Sequence, residues 1–178
     1  MGNRFSGIIG SLIMLFFGAM SFYRFYTTGI IFFLLMVLRD VIAAWFLFSR
    51  RGKIDENSSK KIAVVAYFSS AIPLFYFKGA STSSVLVAVA SMISILGFLV
   101  STLALIELGK SFGVSPANRG QVTTGVYRFT KHPMYLGYVI SEFSFLLFNS
   151  SNVLIYLISM SLYLYRAKVE ELCLNSDN

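Results

Sequence analysis

The chain has 178 residues, of which 56% are hydrophobic, 16% aromatic and only 13% charged. That is about half the charge of a soluble domain, which excludes a water-soluble globular fold and points to one integral membrane domain. A single cysteine, Cys173, excludes an internal disulfide, and with one histidine it leaves no zinc cluster. The net charge of +7 sits in loops beside apolar spans, as the positive-inside rule expects, rather than in a nucleic-acid-binding patch.

In chain order, residues 7–23 form the first apolar segment, at the minimum spanning length. Only Arg4 stands nearby and no small-residue cleavage site follows, so a retained span is expected rather than a signal peptide. A polar link over 24–28 leads to a second span over 29–48, which carries Arg39 and Asp40 near its middle. Charges at that depth face a bundle interior or an aqueous cavity and pair with something. They either fix helix packing or contact a ligand.

Residues 49–61 hold five cations and two acids and lie outside the bilayer. The next apolar segment, 62–77, has Pro73 near its end, where a kink is expected. After a small-residue turn, 85–106 is a clean span rich in Ala, Ser and Gly, suited to close helix packing. The polar connection from Glu107 to Lys131 is long for so small a chain, and loops of that length are usually functional or disordered. Residues 134–148 and 153–165 read as a helical hairpin around Asn149–Asn152, and the last helix continues into water through Arg166, Lys168, Glu170 and Glu171.

The expected fold is therefore all-α, a polytopic transmembrane bundle of about five to six helices whose last two form a hairpin. Twelve of the fifteen cations fall on one face if the 49–61 loop is cytoplasmic. Both termini are then expected in the cytoplasm, in the inner membrane if the source is prokaryotic.

The densest chemistry lies at 123–138, which holds the one histidine. His132 precedes Pro133, so its backbone is extended, and Pro133 suits the first position of a helix. On that helix His132, Tyr135, Val139 and Glu142 share one face, and Tyr163, Arg166 and Glu170 share a face of the next. A closed hairpin would gather His132, Lys131, Tyr135, Arg166, Glu170 and Glu171 at its mouth, which suits a zwitterionic ligand with a ring system. Singly, the tyrosines read as belt residues, Arg166 as a snorkelling cation, and the two glutamates as a solvated face. Glu142, deep in an apolar helix, is harder to dismiss. No dinucleotide loop, P-loop or nucleophile–histidine triad is present.

The runs Leu108-Gly109-Lys110-Ser111-Phe112-Gly113-Val114-Ser115-Pro116, Thr123-Thr124-Gly125-Val126-Tyr127-Arg128 and Lys131-His132-Pro133-Met134-Tyr135-Leu136-Gly137, followed by Arg166, Glu170, Glu171 and Leu174, resemble the isoprenylcysteine carboxyl methyltransferase family. The resemblance covers about residues 105–174. The family places Arg where Lys131 stands; the charge is kept, but not the fork of a guanidinium. The resemblance implies an S-adenosylmethionine-dependent methyltransferase, with S-adenosylhomocysteine as product. Its acceptor would be a lipidic or prenylated small molecule or protein tail. Neither nucleic acid nor metal is implied. The whole of 1–178 would be one integral-membrane domain, with N-terminal transmembrane helices over 1–104 and a cofactor-binding catalytic region over 105–174.

Carried over by motif, the cofactor would be bound by His132 and Tyr135, with the Tyr127-Arg128 segment lining the site, Lys131 beside it as a cofactor candidate, and Glu170 on its ribose hydroxyls or ammonium. Arg166 and Glu171 are further cofactor candidates. Arg128 would orient an anionic acceptor. A carboxylate acceptor needs no general base, whereas an amine or thiol would use His132 or Glu142. Two alternatives stand beside this: a membrane NADPH-dependent sterol- or lipid-type reductase, and a non-catalytic transporter or scaffold.

Overall fold

The computed structural model describes residues 2–49, 60–79, 83–114 and 122–175. All its regular elements are helical: α1 Gly2–Thr28, α2 Ile31–Ser49, α3 Lys60–Ala71, α4 Ser84–Leu108, α5 Pro133–Phe148 and α6 Val153–Asn175. Short 3₁₀ turns at Ile72–Phe75, Gly109–Ser111, Gly125–Arg128 and Ser150–Asn152 link them. Among the described residues, three stretches are long and apolar enough to cross a bilayer, Phe5–Thr28, Ile31–Ser49 and Ser84–Ser111. The protein is a multi-pass helical membrane bundle. At 16 residues, α5 is about 24 Å long, short of the ~30 Å hydrocarbon layer.

The polar link expected at 24–28 is instead the last turn of α1. The Thr28 hydroxyl bonds the Arg24 carbonyl at 2.6 Å, the Thr27 hydroxyl bonds that of Tyr23 at 3.1 Å, and the Arg24 guanidinium reaches across to the carbonyl of Tyr76. With these groups satisfied locally, polarity no longer ends the helix. Gly29 ends it, at φ 69°, a conformation that costs glycine little. The two-residue turn that follows makes α1 and α2 antiparallel neighbours.

The second tight pair is α4 with α5. Gly97 and Gly137 sit at their crossing, and a Cβ on Gly97 would lie 2.6 Å from the Gly137 carbonyl oxygen. Small residues let two helix backbones touch, and Ser94 bonds Ser144 across the same seam at 2.8 Å. The expected hairpin partner α6 joins α5 through a single 3₁₀ turn, and the two helices meet through long side chains, Tyr163 with Glu142 at mid-helix and Tyr135 with Glu170 near their other ends.

Two apolar clusters result. At the end where α1–α2, α3–α4 and α5–α6 are connected, Phe32 meets Phe145 edge-on at 4.5 Å and Tyr76 stacks on Phe145 at 4.3 Å. Asn152 seals this end: it accepts the Phe77 N–H at 3.0 Å and donates to the carbonyls of Phe77 and Phe145, each at 2.9 Å. Pro73 closes α3 by entering a 3₁₀ turn. The other cluster, including Leu47, Ala104, Met134, Tyr135, Tyr138 and Tyr163, lies under the opposite end. That end carries the site.

Candidate functional site

The site grows from the start of α5. His132 holds the N-cap position at φ −131°, ψ 59°, short of the extended ψ expected before a proline, and Pro133 takes the first turn, as its missing N–H allows. One turn on, Tyr135 is buried and its ring stacks on His132 at 5.8 Å. The 3₁₀ turn before it is fixed by Gly125 at φ 54°, and a side chain there would collide with the Glu107 carboxylate. That carboxylate accepts the Val126 N–H at 2.8 Å, so Gly125 and Glu107 together set where Tyr127 enters.

From α6 come the acids. Glu171 Oε1 lies 3.3 Å from His132 Nε2 and 3.5 Å from Lys131 Nζ, and Glu170 Oε2 lies 3.6 Å from His132 Nδ1. The Tyr135 hydroxyl donates to the other oxygen of Glu170. Both glutamates therefore serve one histidine and are more than a solvated face. The Glu170 contact, opposed by partial burial and aided by Glu171, raises the His132 pKa above its ordinary value. His132 and Lys131 hold the exposed Glu171 below the usual carboxylate range. Burial, reinforced by the charge of Glu170, raises the Tyr127 phenol.

Arg166 is 4% exposed, so it does not snorkel. Its guanidinium lies 5.1 Å from the Tyr135 ring centroid and donates to Ser69 Oγ at 2.9 Å and the Val114 carbonyl at 3.0 Å. Its Nε has no hydrogen-bond partner among the described residues. A buried donor left unpaired costs about 1–3 kcal/mol, more on a charged group, so this atom is suited to an incoming acceptor.

Lys131, His132, Tyr135, Arg166, Glu170 and Glu171 thus lie together, with Tyr127 in electrostatic reach of Glu170. Arg128 is exposed on its 3₁₀ turn and has no hydrogen bond or ion pair with them among the described residues. Glu142 lies about two helical turns below Tyr135, roughly 10 Å deeper. It is 1% exposed, and its oxygens accept the hydroxyls of Tyr76 (2.8 Å) and Tyr163.

Arg39 and Asp40 pair with each other through Nε at 2.9 Å and Nη2 at 2.6 Å to one carboxylate oxygen. Arg39 lies 5.3 Å from the Tyr138 ring, which packs 5.5 Å from Tyr163. Sequence reasoning missed Ser69, Tyr76, Tyr138 and Glu107. Tyr138 was within reach, one turn after Tyr135; Tyr76 lies 66 residues from Glu142 and gave no local signal. Ser115 and Pro116 of the first motif fall outside the described residues.

The family model for isoprenylcysteine carboxyl methyltransferases matches residues 84–176, beginning one helix before the motifs do. No curated protein and no solved structure matches the chain.

Proposed function

The chain belongs to the isoprenylcysteine carboxyl methyltransferase family, and from that premise we propose that it transfers a methyl group from S-adenosylmethionine to a lipidic or amphipathic acceptor, at the membrane face where α5 begins. The observation that carries this is the closed group of Arg166, Tyr135, His132, Glu170 and Glu171, which offers both signs of charge beside flat rings. The residues fit such a cofactor. The unpaired Nε of Arg166 suits its carboxylate, Glu170 and Glu171 suit its ammonium or ribose hydroxyls, and the Tyr127 and Tyr135 rings offer apolar surface to the adenine. When bound, S-adenosylmethionine supplies a methyl carbon on a positively charged sulfur.

The chain's own groups then orient and shield. Tyr135 and the half-buried His132 exclude water from one side of the mouth. A cationic donor meeting an anionic acceptor loses charge in the transition state, so a dry wall favours reaction, and fixed positions remove much of the entropic barrier. Lys131 lies 3.5 Å from Glu171, and Arg128 stands on the exposed rim where it would orient an acceptor carboxylate. A carboxylate acceptor needs no proton removed. Both oxygens of Glu142 are already engaged by buried tyrosines, so we assign it to holding Tyr76 and Tyr163; His132, nearer the mouth, would take a proton from an amine or thiol acceptor only where the acceptor displaces one of its two glutamates. The cation bias supports a cytoplasmic mouth.

The test is transfer of radiolabelled methyl from S-adenosylmethionine to total lipid extract and to prenylated cysteine analogues by the reconstituted protein. Label should appear in the lipid phase, base-labile as methanol if the acceptor is a carboxylate and base-stable if it is an amine or thiol, and Glu170→Gln should lower transfer by at least about 10-fold at sub-saturating cofactor. Absence of label in every acceptor fraction would overturn the proposal. Family membership favours this chemistry over the reductase and the scaffold.

A further inference from the structure

The segment before α5 turns its residues two ways. Tyr127 packs inward against the apolar cluster under the site, whereas Phe129 is 90% exposed, the largest exposure of any large hydrophobic residue described. Arg128 and Lys131, both exposed, flank it. An isolated exposed apolar side chain on a soluble protein calls for no explanation. Here the side chain stands four residues before a membrane-entering helix, and it has counterparts.

At the same end of the bundle, Trp45 and Phe48 in the last turn of α2 are 67% and 68% exposed. At the opposite end, Tyr26 near the close of α1 is 82% exposed, and Phe77 stands exposed beside Lys78. The most exposed aromatics thus stand at the ends, and between them the exposed side chains are mainly aliphatic, such as Leu12, Leu96 and Leu99, with Phe16 and Phe68 among the aromatic exceptions. On α1 the exposed Phe5 and Tyr26 are separated by about 32 Å of helix, close to the ~30 Å hydrocarbon thickness. Amphipathic rings collect at the headgroup level of each leaflet, and cations beside them meet lipid phosphates.

We propose that Phe129, flanked by Arg128 and Lys131, is an interfacial anchor. It sits in the phospholipid headgroup–acyl boundary with Trp45 and Phe48 and fixes the mouth formed by His132, Glu170 and Glu171 at headgroup depth. The partner is the lipid surface itself, and the proposal stands whatever reaction the mouth performs. A lipid-dissolved acceptor would then meet the mouth without leaving its leaflet.

Trp45 is the one tryptophan, which makes the test direct. In bilayers of phosphatidylcholine and phosphatidylglycerol, the fluorescence of native Trp45 and of a Phe129→Trp, Trp45→Phe variant is quenched by lipids carrying nitroxides near the headgroup or near the chain end. The expected result is blue-shifted emission from both proteins, quenched more by the shallow label. The variant should keep the wild-type unfolding midpoint in detergent, since Phe129 makes little protein contact. Emission at the water-exposed wavelength, quenched by iodide and by neither lipid, would overturn the anchor. Strongest quenching by the deep label would overturn it too. So would blue-shifted emission untouched by either label, which would mean that a second copy covers the segment. Reading Trp45 alone, without any substitution, tests the same membrane frame.

Discussion

The sharpest structural prediction concerns the α4–α5 crossing, because the geometry there leaves no room to adapt. A methyl group added at Gly97 would meet the Gly137 carbonyl oxygen at 2.6 Å and the Ser141 Cα at 2.8 Å. One added at Gly137 would meet the Gly97 carbonyl oxygen at 2.6 Å and the Ser101 Cβ at 2.8 Å. These neighbours are mostly backbone and cannot rotate aside, so the helices must separate by about 1 Å to restore ordinary contact at 3.5–4.0 Å. Overpacking of this kind costs about 1–3 kcal/mol. Loss of the Ser94–Ser144 bond across the seam adds about 0.6 kcal/mol, and removing a helical glycine returns ~0.9 kcal/mol. The net for Gly97→Ala is about 2 kcal/mol, roughly a 30-fold shift towards unfolding. Gly18→Ala is the control, since its Cβ would meet only the Asp40 Cβ at 3.5 Å, and it should be neutral or stabilising. Reversible unfolding in mixed detergent measures both. Equal stability of Gly97→Ala and wild type would refute the close-packed seam, and with it the means by which α4 holds the start of α5.

Two further outcomes are expected. Tyr163→Phe removes one of the two hydroxyls bonded to the buried Glu142 carboxylate and should destabilise by about 1–3 kcal/mol; in the Glu142→Gln background most of that loss should vanish, as a double-mutant cycle in detergent unfolding would show. The histidine gives a pH signature. Because Glu170 first and Glu171 second raise the folded-state pKa of His132, its contribution to stability is fully present below its unfolded value of about 6.5 and is lost as pH rises through the folded value. The stability difference between wild type and His132→Gln should therefore be largest in acid and shrink on that rise, and the histidine ring resonance of Glu170→Gln should titrate lower than in wild type. A ring titrating at the ordinary value in both proteins would refute the contacts.

The bundle was legible because apolar runs of spanning length carry their own signal, and the motif from Lys131 to Gly137 announced a helix mouth through one proline. The boundary at Arg24–Thr28 was not legible. Whether two threonines and an arginine end a helix depends on whether their hydrogen bonds are met within it and by Tyr76, on a distant element. Arg166 shows the same limit: its spacing placed it beside Tyr163 and Glu170, but its burial depends on Ser69 and Val114, far away in sequence. The pairing of Arg39 with its own neighbour Asp40 was open in the sequence, since adjacent residues on a helix do not usually face each other. Burial of both side chains brings them together, with the Arg39 guanidinium over the Tyr138 ring.

Whether the residues around His132 and Glu170 bind S-adenosylmethionine is tested most directly by calorimetric titration of the purified protein with the product, S-adenosylhomocysteine. Wild type should bind one equivalent saturably. His132→Ala and Glu170→Ala should each weaken binding by about 10- to 100-fold, the loss of one charge-assisted hydrogen bond, while keeping the detergent unfolding transition of a folded protein. No heat of binding from folded wild type, or equal affinity in all three proteins, would contradict the assignment of the site.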